Sequence, residues 1–204
     1  MLSEMPSVKK MESLKSTNLT NLINLINLMN PIEPDKIYLV TDLPGYTPNI
    51  SRLICMMNYA WYVTLESVKG LTVEQLDYLQ DKESNSIGAL LYHIASTDFY
   101  FRIITFEERE LTQEENEKWE APSFLGEKGR EKIKGNDLEF YVNVLNEERN
   151  KIYELLKEKD DEWLEKTLQW YGNTSNYHHI WFHTFEDEIN HRGQINWLKK
   201  RLNK

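Results

Sequence analysis

The sequence predicts an all-α protein, a four-helix bundle preceded by a low-complexity N-terminal extension. Three observations carry that expectation. Four long stretches repeat their apolar residues at helical spacing, capping residues and helix breakers separate them, and no stretch alternates convincingly as a strand. The 204 residues suit one domain, divided here into an extension over 1–40 and the bundle over 41–204.

The extension contains "TNLTNLINLINLMN" at residues 17–30, a three-residue Asn-Leu repeat. Asparagine interrupts its apolar positions too often for a signal-peptide core. Two readings stay open: a low-complexity leader outside the domain, or a short amphipathic helix that docks on the body or on a partner, ended by Pro31 and Pro34.

The first bundle helix is expected in "NISRLICMMNYAWYVTLESVKG", with Leu53, Met56, Met57, Ala60 and Val63 on one face and Gly70 as its stop. "LTVEQLDYL" reads as a short helical turn in a connection. The second helix lies in "SNSIGALLYHIASTDFYFRIITFEE", capped by Ser84 or Ser86, with a core stripe of Ile87, Leu90, Leu91, Ile94 and Phe101. Residues 109–135, rich in charge and broken by Pro122, Gly126, Gly129 and Gly135, are expected to form a long connection. In the third helix, "NDLEFYVNVLNEERNKIYELLKEK", Asn136 and Glu139 fit a capping box. "DDEWLEKTLQWYGNTS" is a second connection, with a turn at Gly172-Asn173. The fourth helix runs from about Ser175 to Leu202, its last turns holding Lys199, Lys200 and Arg201, as the negative helix end favours.

Composition excludes several classes of function. Forty per cent apolar and 12% aromatic residues indicate a globular chain. A net charge of −9 with no basic patch argues against nucleic acid as a partner. The single cysteine, Cys55, allows no internal disulfide and fits a reducing, cytoplasmic setting. No apolar run approaches the roughly 18 residues of a membrane span.

The candidate chemistry lies in "HTFEDEINHRGQI", residues 183–195. At about 100° per residue, His183, Asp187 and His191 fall within about 80° of one another, in the same sector as Ile180, Thr184, Ile195 and Leu198. Ionisable groups on a core-facing stripe need partners, and i, i+4 spacing lets two helical side chains reach one ion. His93, beside the core stripe of the second helix, is the candidate third ligand. Two imidazoles and a carboxylate leave coordination positions free, a catalytic rather than a closed structural pattern, and suit zinc, nickel, iron or manganese. A solvated face or a plain hydrogen-bonded pair is the competing reading. His178 and His179 read as surface or capping groups, and Glu186 and Glu188 as solvent-facing or supporting residues. Phe182, Phe185, Ile189 and Trp197 form a second apolar stripe suited to another subunit.

"SIGALLYHIA", followed about a hundred residues later by "HTFEDEINHRGQI", resembles the DinB/YfiT-like family over roughly Tyr46 to Leu202. The resemblance implies a bundle of up-down-down-up topology, often a homodimer, with one metal ligand on the second helix and two on the fourth. By motif these are His93, Asp187 and His191. The commonest pattern has histidine where Asp187 stands; relatives with a carboxylate there include thiol-dependent isomerases. Aspartate is short, so Glu188 or His183 is an alternative or supporting ligand. The implied activity is transfer of a low-molecular-weight thiol, such as bacillithiol, to a small electrophile, or a related isomerase or hydrolase step. A non-catalytic dimeric stress-response or binding module, with a structural or vestigial polar triad, is the alternative.

Overall fold

The structure, a computed structural model, describes residues 34–202. The Asn-Leu repeat of the extension lies outside the described residues.

Four long helices dominate. α1 (Pro48–Val68) opens with proline in its first turn, and its free N–H groups are met from far along the chain. The Asp161 carboxylate accepts from the Asn49 amide at 3.0 Å and from the Thr47 hydroxyl. Its buried face includes the predicted Leu53, Met57 and Ala60, and extends through Ile50, Ile54, Trp61, Leu65 and Val68. A four-residue helix, α2 (Val73–Leu76), follows with a Thr72/Gln75 capping box. α3 (Ile87–Arg102) is capped by Ser86, whose Oγ accepts from the Ala89 amide at 3.1 Å, and runs on into a π-helical turn over Ile103–Glu107.

Two connections are more ordered than the sequence suggested. Residues 109–135 hold α4 (Gln113–Phe124) and α5 (Gly126–Lys132) rather than an unstructured link. Only Trp119, Ala121 and Pro122 of α4 are buried, so no helical apolar stripe was there to be read. The available signal was at its start, where Thr112 and Glu115 form a reciprocal capping box. Trp119 anchors α4 by stacking on Phe99, ring centroids 4.7 Å apart.

α6 (Leu138–Leu156) is capped by Asp137, one residue later than expected. Asp137 Oδ1 accepts from the Phe140 amide at 2.9 Å, and the Asn136/Glu139 box does not form. The second connection carries a small antiparallel hairpin, β1 (Thr167–Trp170) with β2 (Asn173–Asn176), which corrects the expectation of no strand. Four residues per strand are too few for alternation to stand out. Its two-residue turn is Tyr171-Gly172, one position before the predicted one, with φ of +49° and +77° as a type I′ turn requires. α7 (Tyr177–Lys199) follows directly, capped by Asn176, whose Oδ1 accepts from the His179 amide at 2.9 Å.

Side-chain pairs fix the helix directions. Tyr92 meets Tyr141 and Asp98 meets Arg149, so α3 and α6 are parallel. Arg192 reaches the Ala60 carbonyl and Lys199 that of Ser67, so α1 and α7 are parallel. His93 meets His191 while Phe101 meets His183, so α3 opposes α7. Trp61 meets Asn146 while Asn58 meets Tyr153, so α1 opposes α6. The four helices therefore run up, down, down and up, in the ring α1–α7–α3–α6.

The core has two apolar clusters. One joins the C-terminal half of α1 to the starts of α3 and α6; the other joins the starts of α1 and α7 to the end of α6. Between them lies a polar layer: Asn58, Asp98, Arg149 and Glu188, all nearly inaccessible. Among the described residues no helix is long and apolar enough to cross a membrane.

Candidate metal centre and its cleft

His93 from α3 meets Asp187 and His191 from α7, and each residue offers a ligand atom within 4.8 Å of the others. His93 Nε2 lies 3.5 Å from Asp187 Oδ2, and His191 Nε2 lies 3.3 Å from Asp187 Oδ1. The short aspartate therefore reaches both imidazoles. The two contacts fall on different oxygens of the carboxylate, and three donor atoms within 4.8 Å of one another are close enough to share one small cation.

The hydrogen-bonding pattern points the same way. His93 Nδ1 contacts the Pro122 carbonyl at 2.8 Å, near the C-terminal end of α4. A carbonyl only accepts, so Nδ1 carries the proton, and a neutral His93 turns its Nε2 lone pair towards the Asp187 carboxylate. Two acceptors facing each other call for a proton or a metal ion between them. Among the described residues, Asp187 Oδ2 and His191 Nδ1 are buried without a hydrogen-bond partner. Burial pulls the His93 pKa down, but Asp187 and the Pro122 carbonyl outweigh it and leave the value raised. Burial pushes Asp187 up, but His191 and His93 hold its carboxyl well below the usual carboxylate range. His93 and Asp187 thus stabilise each other's charged forms, and the donor set of two imidazoles and a carboxylate fits a divalent ion.

The other sequence candidates separate. His183 lies on the same side of α7 but two turns from His191. Its Nδ1 donates to Glu186 at 2.8 Å, and its ring packs near Phe101 and Trp170. Glu188 is not a ligand: it is fully buried, and its Oε2 accepts from Arg149 Nη2 at 2.6 Å. His179 is exposed, consistent with a surface position.

Arg149 also donates from Nε to Asp98 at 2.8 Å and lies over the Trp61 ring. Sequence reasoning missed this buried triad. Its signal was present, because Asp98 and Arg149 fall within apolar helical faces, but nothing in the sequence pairs residues 51 positions apart. Burial raises the Asp98 carboxyl to about 6 despite the guanidinium beside it, and Glu188 and Glu148 add to that rise.

The three-residue cluster borders a cleft of about 560 Å³. His93, Ser96, Thr97, Tyr100 and Phe101 of α3 and Asp187 and His183 of α7 form its floor and one side. Asn116, Trp119, Glu120, Ser123 and Phe124 of α4, with Leu111, form a second side, and Gln169, Trp170 and Tyr171 of the hairpin a third. Thus the stretch expected as a connection supplies a wall and also the carbonyl that orients His93. Such a cleft suits a metal centre that keeps an open coordination side towards a small molecule.

The bundle and its convergent His-Asp-His group define a DinB/YfiT-like helical protein. Residues 52–203 match the family model described as mycothiol-S-transferase, and the chain belongs to that family. A comparison with curated proteins returns no match.

Proposed function

We propose that the chain is a divalent-metal-dependent enzyme that transfers a low-molecular-weight thiol to a small electrophile. The observation that carries this reading is the convergence of His93, Asp187 and His191 at the wall of an open cleft, within a chain of a thiol S-transferase family. The metal ligands in this reading are His93, Asp187 and His191, with zinc, nickel, iron and manganese as the candidate ions. When bound, the ion lowers the pKa of a thiol and favours its thiolate.

The protein's own groups do the rest. The Pro122 carbonyl fixes the His93 tautomer and ring orientation. Glu186 holds the Nδ1 proton of His183, leaving Nε2 free to take the proton that the thiol gives up. The thiolate sulfur attacks the electrophilic carbon, a C–S bond forms, and the bond from that carbon to its leaving group breaks. The aromatic walls limit water around the reacting groups.

A non-catalytic module with a structural triad would be better served by a closed cluster, whereas His93 and Asp187 both line the cleft. Phe182, Ile189 and Trp197, each nearly half exposed on α7, support a homodimer as the working assembly. We place the activity in the cytoplasm, where the thiol pool is reduced. The test is loss of free thiol when the metal-loaded protein is mixed with bacillithiol or mycothiol and a small electrophile. The reading predicts metal-dependent turnover with at least one thiol. A thiol-consumption rate equal to that of the metal-stripped protein, for both thiols over a broad electrophile panel, would contradict it.

A further inference from the structure

A second pair of histidines stands apart from the His-Asp-His group. His179 and His183 lie one turn apart near the start of α7, with ring centroids 6.3 Å apart and ring planes 7° from parallel. Residues four apart on a helix share a face, the spacing that lets two imidazoles reach one ion.

The outer contacts of both rings suit that use. His183 Nδ1 donates to Glu186 Oε2 at 2.8 Å, and His179 Nδ1 lies 3.0 Å from Ser175 Oγ. A carboxylate only accepts, so the lone pair of a neutral His183 is on Nε2, and a hydroxyl that can accept allows the same tautomer in His179. Among the described residues, no hydrogen bond reaches Nε2 of either ring. A carboxylate on the far nitrogen is the contact that orients a metal-bound imidazole and raises its basicity. Phe101 and Trp170, with ring centroids 5.9 and 6.3 Å from that of His183, confine its ring, while His179 is exposed. The first turns of a helix disfavour a cation, and the Glu186 carboxylate beside His183 supplies the opposing charge.

We propose that His179 and His183 form a second metal site, separate from His93, Asp187 and His191, for a divalent late first-row transition ion, copper ahead of nickel and zinc. Among the described residues only the His93 group gathers three such donors, so water completes the coordination at the pair. The ion competes there with the proton that His183 Nε2 takes up in the proposed thiol transfer, which makes the site exchangeable rather than permanently filled.

The test counts divalent copper bound to the full-length protein by equilibrium dialysis, in the wild type and in His179→Ala, His183→Ala, His178→Ala and His191→Ala. His179→Ala and His183→Ala should each bind about one equivalent fewer than the wild type, with helical circular dichroism unchanged. His178→Ala, off the shared face of α7, should bind the wild-type amount. Wild-type stoichiometry in His179→Ala or in folded His183→Ala, or the same loss in His178→Ala, would overturn the proposal. His191→Ala keeps the two sites distinguishable. If it binds as much as the wild type while His179→Ala loses its equivalent, the second site stands and the metal reading of the His93 group falls.

Discussion

The imidazole of His93 links two elements that the sequence presented as a helix and a loop: its Nδ1 donates to the Pro122 carbonyl of α4 at 2.8 Å, while its Nε2 faces Asp187. One side chain thus ties α4, which walls the cleft, to the group proposed to hold the metal. Replacing His93 with alanine should have two separable effects. Metal uptake should fall, and amide exchange in α4 should accelerate relative to the four bundle helices. Unchanged exchange in Gln113–Phe124 would show that Trp119 alone holds α4 in place.

Arg149 neutralises two buried carboxylates, and its loss would strand both. Arg149→Leu should destabilise the fold by about 3–5 kcal/mol, the range for breaking a buried charge pair from one side. Asp98→Asn should be far milder at neutral pH, because Glu188 still balances the guanidinium. Denaturant unfolding of the two variants compares them directly.

The same triad predicts a pH dependence. The Asp98 carboxyl is raised to about 6 in the folded chain, above the ordinary value of 3.8. Between those values the folded state holds more protons than the unfolded state, so this group's contribution to stability falls as pH rises. The loss begins near the unfolded value and is complete above the folded one, with a size of roughly 2–3 kcal/mol. Measured between pH 4 and pH 7, the difference in unfolding free energy between wild type and Asp98→Asn should shift by that amount in favour of the variant. A constant difference would place the Asp98 pKa near its ordinary value.

Gly88 marks the close approach of α3 and α6. A Cβ there would lie 2.5 Å from Tyr141 Oη and 2.8 Å from Cζ of the same ring. Gly88→Ala should therefore destabilise by about 1–3 kcal/mol despite its better helix propensity. Tyr141→Phe in the same chain should restore only part of it, since the ring carbon remains in the way. Thermal melts of the single and double variants report both numbers.

Tyr171 holds a φ of +49° in the hairpin turn, a conformation that asparagine adopts more readily. Tyr171→Asn places the favoured Asn-Gly pair in the type I′ turn and should stabilise the chain by about 0.5–1 kcal/mol. A melting temperature below that of wild type would contradict the strain assigned to this turn.

The four bundle helices were legible because each has a face that must be buried, and burial imposes a helical period on Leu53, Met57 and Ala60 or on Ile87, Leu91 and Ile94. His93, Asp187 and His191 could be read for the complementary reason, that ionisable groups beside or on apolar stripes demand partners. α4 escaped because one buried turn around Trp119 anchors it and the rest is solvated. The hairpin escaped because its strands are too short. Glu188 was misjudged because its neighbour Asp187 took the ligand role, and its actual partner, Arg149, is 39 residues away.

The most direct test of the central claim is the metal content of the purified protein by elemental analysis, beside His93→Ala and His191→Ala. About one equivalent of a divalent metal is expected in the wild type, lost from both variants while their helical circular dichroism persists. No uptake by the wild type after zinc, nickel, iron and manganese have each been supplied, or full retention in the folded variants, would contradict it.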